Sequence, residues 1–91
     1  MIVDVPGVGK YRVKWHHRVD DDSRPTCTEC VILGDDGGVI EVAVARCNPK
    51  DHFERNRGRK LSLTRALEQW TPVRDYRRYF WNAYREQLGH Y

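Results

Sequence analysis

Lys10-Tyr11-Arg12-Val13-Lys14-Trp15-His16-His17-Arg18 alternates without a slip, with Tyr11, Val13, Trp15 and His17 on one side and Lys10, Arg12, Lys14, His16 and Arg18 on the other. Successive side chains of a strand point to opposite faces, so this pattern predicts a half-buried antiparallel strand over Lys10–His17, one face on a core and one in water. Downstream, Asp20-Asp21-Asp22-Ser23-Arg24-Pro25 is too charged to pack and contains a breaker, which predicts a loop. A second strand is expected over Thr26–Leu33. Gly34-Asp35-Asp36-Gly37-Gly38 then reads as a hairpin connection, because glycines supply the positive φ angles of a tight reversal. The third strand, Val39–Cys47, sets Ile40, Val42 and Val44 on one face and Glu41, Ala43, Ala45 and Cys47 on the other; the small residues of the second face leave room for something to lie against it. Upstream, Val5-Pro6-Gly7-Val8-Gly9-Lys10 has the look of a phosphate loop but neither the GxxxxGK[ST] spacing nor a following helix, and is read as a turn.

The pattern changes after residue 47. Asn48-Pro49 has the form of a helix cap followed by proline at the first helical position, with a short helical turn through Phe53 to about Asn56 that Gly58 interrupts. Leu63, Ala66, Leu67 and Trp70 recur at i, i+3, i+4 and i+7, one face of an amphipathic helix over 59–70. Thr71-Pro72 repeats the cap-and-proline signal. It opens a second helix over 72–88 that turns Val73, Tyr76, Phe80, Ala83, Tyr84 and Leu88 inward and stops at Gly89. The expected fold is α+β: a three-stranded antiparallel sheet followed by two helices packed on one face, in the order β-β-β-α-α, with Trp15, Trp70, Phe80 and Tyr84 filling the core.

The chain has 91 residues, enough for one small domain spanning 1–91. Charged residues make up 32% and aromatics 11%, too many charges for a membrane span and too many aromatics for a disordered chain. A soluble globular domain is expected, and the first residues have neither a basic leader nor an apolar signal core, so it is expected to stay where it is made. Charge is unevenly spread: residues 1–45 carry five basic against eight acidic side chains, and residues 46–91 eleven against five. The second half therefore suits an acidic partner.

Four residues have the types of a tetrahedral Cys₃His zinc site: Cys27, Cys30, Cys47 and His52. If the Gly34–Gly38 loop sets Leu33 opposite Val39, Cys27 lies opposite Ala45 and diagonal to Cys47, on the same face, while Cys30 points to the other. Thr28-Glu29 offers no glycine to bend the chain between the two cysteines. Buried reduced thiols are the competing reading, and the expectation is a metal-free protein that folds without zinc or any other cofactor. Cys47 and His52 flank Asp51, the residue types of a thiol nucleophile with its base, yet nothing indicates an oxyanion hole or cleft, and the chain is not read as an enzyme. His16 and His17 face opposite ways and cannot share a metal from one regular strand.

The basic residues form a stronger constellation. Lys50, Arg55, Arg57, Arg59 and Lys60 crowd the approach to the first helix; on the second, Arg74, Arg78 and Arg85 fall at i, i+4 and i+11 with Trp81 at i+7 on the same stripe. Arginine forks beside an exposed indole suit phosphates and bases, and equally an acidic protein groove. The bland reading is a solvated helix face with the indole lying flat on the domain.

The stretch from Cys47-Asn48-Pro49 through Phe53, Arg55, Gly58-Arg59-Lys60 and Ser62-Leu63 to Arg65-Ala66-Leu67 resembles a segment of small bacteriophage and prophage proteins, C-x-P-x-D-x-F-x-R-x-x-G-R-(K/R)-x-(S/A)-L-x-R-A-L, preceded by a β-hairpin and followed by a helix with a tryptophan. Of the three cysteines only Cys47 lies in it. The resemblance implies a viral accessory protein in the host cytoplasm. Phage domains of this size are often inhibitors of host defence, anti-CRISPR proteins among them. Many such inhibitors imitate DNA with acidic surfaces; a basic second half points instead to blocking a nucleic-acid path or binding an effector. The expected function is therefore a non-enzymatic binding protein that inhibits a host defence protein or ribonucleoprotein complex through the basic Arg/Trp surface. The alternative is a small nucleic-acid-binding phage regulator.

Overall fold

A computed structural model describes residues 1–22, 24–46, 54–70 and 74–88. The fold is α+β, four antiparallel strands followed by two helices: β1 (Ile2–Val5), β2 (Gly9–Val19), β3 (Pro25–Leu33), β4 (Val39–Arg46), α1 (Arg55–Trp70) and α2 (Arg74–Leu88). Strand order in the sheet follows the chain, β1-β2-β3-β4. The three-stranded expectation misses β1. Its four residues alternate like any half-buried strand, with Val3 and Val5 buried and Ile2 and Asp4 exposed, and it pairs with β2 in the register Val3↔Tyr11 and Val5↔Gly9. The segment after it is a turn, as read: Val8 N donates to Val5 O at 3.0 Å, and Gly7 has φ 77°.

β2 behaves as its alternation requires, with Val13 buried, Tyr11, Trp15 and His17 half-buried, and the Lys10/Arg12/Lys14 face exposed. The acidic loop that follows is organised by Asp20, whose carboxylate accepts the backbone N–H groups of Asp22 and Arg24 at 2.9 Å each. The β3–β4 connection uses Gly37 at φ 85° and the Asp36 carboxylate, which accepts Gly38 N–H at 2.9 Å. Leu33 does face Val39, but the register shifts between Ile32 and Leu33, so Ile32 faces Glu41 and Thr28, not Cys27, faces Ala45. One extra residue on the bulged strand moves every later pairing by one. Cys27 consequently lies opposite Arg46.

Both helices cover one face of the sheet, α1 over β3 and β4 and α2 over β1. α1 begins at Arg55, four residues earlier than its apolar spacing suggests, and Gly58 lies within it instead of interrupting it. The reason is packing. A Cβ on Gly58 would overlap Thr28 Oγ1 and stand 3.0 Å from Thr28 Cβ. Gly58, Ser62 and Ala66, four apart, are the small residues of α1; Ser62 and Ala66 are buried, as are Thr28, Ala43 and Ala45 of the sheet. Small side chains on both sides allow this close approach, and the room left by the alanine face of β4 is occupied by α1. The side chains of α1 also close the outer edge of β4: Arg65 Nη1 donates to Val44 O at 2.8 Å, and Gln69, its amide nitrogen turned to the strand, donates to Val42 O and Glu41 Oε1 at 3.2 Å.

Between the helices and the sheet runs an aromatic cluster. Tyr11, Trp70 and Phe80 meet pairwise at centroid distances of 5.0–5.7 Å, and Tyr84 takes Trp15 and Trp81 edge-on at 5.9 Å each. Phe80 and Tyr84 are buried as expected, while Trp15 and Trp70 are half-buried at the rim. The Asn48-Pro49 and Thr71-Pro72 caps, the turn at Phe53, and Val73 and Gly89 lie outside the described residues.

Candidate functional site

α2 separates its charges. Its inner face is Phe80 and Tyr84; one flank, with Asp75, Tyr76 and Tyr79, borders Val5 and Pro6 around a depression of about 300 Å³ that Arg78, standing between the flanks, also lines. The other flank is basic. Arg74, Arg78, Trp81 and Arg85 converge there, joined by Arg77 and Asn82, around a depression of about 390 Å³. Helical spacing explains the convergence, since residues three and four apart share a face. Trp81 is not the exposed indole of the sequence reading. It is half-buried because its ring rests edge-on against Tyr84, leaving the remainder as an apolar floor between arginines.

Arg77 was not among the expected site residues. Next to Arg78 in sequence, it stands a turn before Trp81 and is half-buried with its Nε buried and without a hydrogen-bond partner. Spacing alone could have found it, because Arg77 and Trp81 are i and i+4. Among the described residues the one ion pair is Arg18–Glu29, on another part of the molecule, so the four arginines of this flank have no carboxylate partner there. A buried guanidinium N–H left unpaired is costly, and clustered arginines repel one another; both are relieved by an anion.

The basic group of α1 divides in two. Arg57 and Lys60 border a third depression of about 470 Å³ with Glu54, Asn56, Leu61 and Thr64, and Arg55 is exposed beside it. Arg59 is half-buried and turned to the sheet; its carbonyl accepts Trp15 Nε1–H and Ser62 Oγ–H at 3.2 Å each. No acidic residue stands in the first turn of α1, so Arg55 and Arg57 sit at the positive end of the helix dipole, an arrangement unfavourable by about 0.3–1 kcal/mol per charge. This depression and the one around Trp81 are linked through Tyr84, which packs on Trp81 and donates its hydroxyl proton to Asn56 Oδ1. Lys50 lies outside the described residues.

His17 and His16 face opposite ways, as expected: His16 is exposed and His17 half-buried, with Nδ1 2.9 Å from Thr28 Oγ1. Burial lowers the pKa of His17 below its ordinary value of 6.5, and the Arg59 and Arg55 charges lower it further. The folded protein therefore holds fewer protons on this ring than the unfolded chain does. Its stability is full above pH 6.5 and declines as pH falls through that value toward the lowered pKa. Thermal scans from pH 7.5 to 5.5 are expected to show a falling Tm, and His17→Gln is expected to flatten that slope.

Cys30 points into the core, fully buried, and burial pushes its thiol up to about 12. Cys27 is three positions away on the same strand, half-buried on the opposite face, so the two cannot hold one ion. Cys47, Asp51 and His52 lie outside the described residues. Among the described residues no helix is long and apolar enough to cross a membrane. Comparison with family models, curated proteins and solved structures finds no match.

Proposed function

We propose that this chain is a non-enzymatic binding protein whose basic α2 flank engages an anionic host partner, and that it is a phage-encoded inhibitor of a host defence protein or ribonucleoprotein complex. The observation that carries the binding reading is the ring of Arg74, Arg77, Arg78 and Arg85 around half-buried Trp81, with no carboxylate partner among the described residues. Tryptophan and arginine are favoured at interface hot spots, and an arginine fork recognises phosphate or carboxylate in two-point fashion. The phage origin rests on the resemblance of the stretch from Cys47 to Leu67 to phage proteins, and the inhibitory role on how often phage domains of this size inhibit host defence. Arg57 and Lys60 form a second basic site at the start of α1, joined to the first beneath the surface by the Tyr84–Asn56 hydrogen bond.

Capture of partners from phage-infected cells on the immobilised chain tests this directly. Arg74→Glu with Arg78→Glu is expected to lower partner affinity by about 100-fold or more, each hot-spot arginine contributing ~2 kcal/mol. Both positions are exposed, so Tm should hold. Trp81→Ala is a poorer test, because it also removes the ring packed on Tyr84. A small nucleic-acid-binding regulator is the second reading, favoured by four arginines flanking one aromatic floor. It requires tight binding of DNA or RNA by the purified chain, with a log–log salt slope of about −0.9 per phosphate contacted. A protein interface centred on Trp81 weakens less steeply with salt. Retained inhibition in the double arginine variant would exclude the α2 flank.

A further inference from the structure

The sheet face turned away from the helices is uncovered. On it, β3 and β4 present Val31 and Leu33 beside Val39, Ile40, Val42 and Val44, the last four all exposed, Val39 to 64%. The bulge adds to this strip: Leu33 pairs with Val39 and Ile32 with Glu41, so Ile40 is an extra aliphatic residue at its end. Alongside, β2 contributes an exposed row of Lys10, Arg12, Lys14 and Arg18. The register aligns the two across the sheet. Lys14 pairs with Val31, which pairs with Val42; Arg12 pairs with Leu33, which pairs with Val39. Each line therefore runs cation, aliphatic, aliphatic. Arg18 is paired with Glu29, whereas Arg12 and Lys14 have no ion pair among the described residues.

We infer that this face is a docking surface for an acidic amphipathic helix of a protein partner, lying along the strands with its apolar stripe on Val31, Val42 and Val44 and its carboxylates on Arg12 and Lys14. Strands about 4.8 Å apart rising about 3.3 Å per residue make β2–β4 roughly 10 by 26 Å, which admits one helix about 10 Å across. Strand addition at the β4 edge, beside the aliphatic strip, is hindered because Arg65 and Gln69 already occupy the outward carbonyls of Val44 and Val42. A second copy is disfavoured by charge, since this face also carries Arg46 and sets like against like. Lipid and bases fit poorly because Tyr11 and Trp15 point to the helix side, leaving the strip without an aromatic anchor or stacking platform. This surface lies on the opposite side of the sheet from α2 and stands independently of the function proposed for that helix.

The probe is a synthetic cross-linked helical peptide with leucines at i, i+3, i+4 and i+7 flanked by glutamates, titrated into the full ¹⁵N-labelled chain; a control peptide has lysines for glutamates. Amide shifts are expected at Lys14, Val31 and Val42 with those of α2 unchanged, and the lysine peptide should leave the spectrum as it was. Arg12→Glu with Lys14→Glu should weaken binding by about tenfold or more, its preserved spectral dispersion reporting an intact fold. No shift at saturating glutamate peptide overturns the inference, as do shifts confined to α2, equal binding of the lysine peptide, or a dimer in sedimentation that Val42→Asp dissolves. Binding to phosphatidylglycerol vesicles with the same shifts, and none with the peptide, overturns it in favour of a membrane.

Discussion

Phe80→Ala is expected to lower the unfolding free energy by about 3–5 kcal/mol, the usual cost of removing a buried phenylalanine and leaving its cavity. Phe80 has no exposed surface and holds Tyr11 at 5.7 Å and Trp70 at 5.5 Å, so its loss unseats two rings at once. The ring also ties α2 to β2 through Tyr11 and to the end of α1 through Trp70. Domains of this size have roughly 5–14 kcal/mol in total, and each kcal/mol is worth about 4–8 °C in Tm. A fall of roughly 12–40 °C by calorimetry follows. A loss under about 1 kcal/mol would mean that the cluster is not the centre of the fold.

Gly58→Ala is the second large effect, and its sign runs against helix propensity. In an exposed helix interior the change would stabilise by about 1 kcal/mol. Here the new methyl overlaps Thr28 Oγ1, on a buried residue whose hydroxyl is also engaged with His17. Overpacking of this kind costs about 1–3 kcal/mol, so the variant is expected to be less stable by urea denaturation. Thr28→Ala in the same chain should recover part of the loss, because it removes the atom that is struck. A stabilised single variant would show that α1 can move off the sheet at no cost.

These two positions also show what sequence can convey. The β2 strand was legible because one of its faces is solvated, which imposes strict alternation on Lys10 to Arg18. The alanine face of β4 was legible as a surface with room for a neighbour, and α1 fills it. Gly58 misled because local propensity marks glycine as a helix breaker, whereas the reason for it lies thirty residues away at Thr28. β1 escaped notice because four residues, Ile2–Val5, cut off by Pro6, are too short to establish a period. The register beyond Ile32 depends on one bulge that no pattern announces. At the candidate site, the i, i+4, i+7, i+11 spacing brought Arg74, Arg78, Trp81 and Arg85 together correctly, but how much of the indole is covered depended on Tyr84, and Arg77 was obscured by its neighbour Arg78.

Because the strands pair in the order in which they occur, each hairpin can close over a short span of chain as soon as its second strand exists, and contacts of this local kind favour fast folding. The helices come last. On a ribosome, β4 thus leaves the exit tunnel while Arg65 and Gln69 are still inside it, and for that interval the carbonyls of Val42 and Val44 are bare on an aliphatic edge. Release of α1 from the tunnel is then the event that ends the exposure. Chains truncated before residue 65 are expected to assemble with one another through β4, and chains extended past residue 70 to be protected from it.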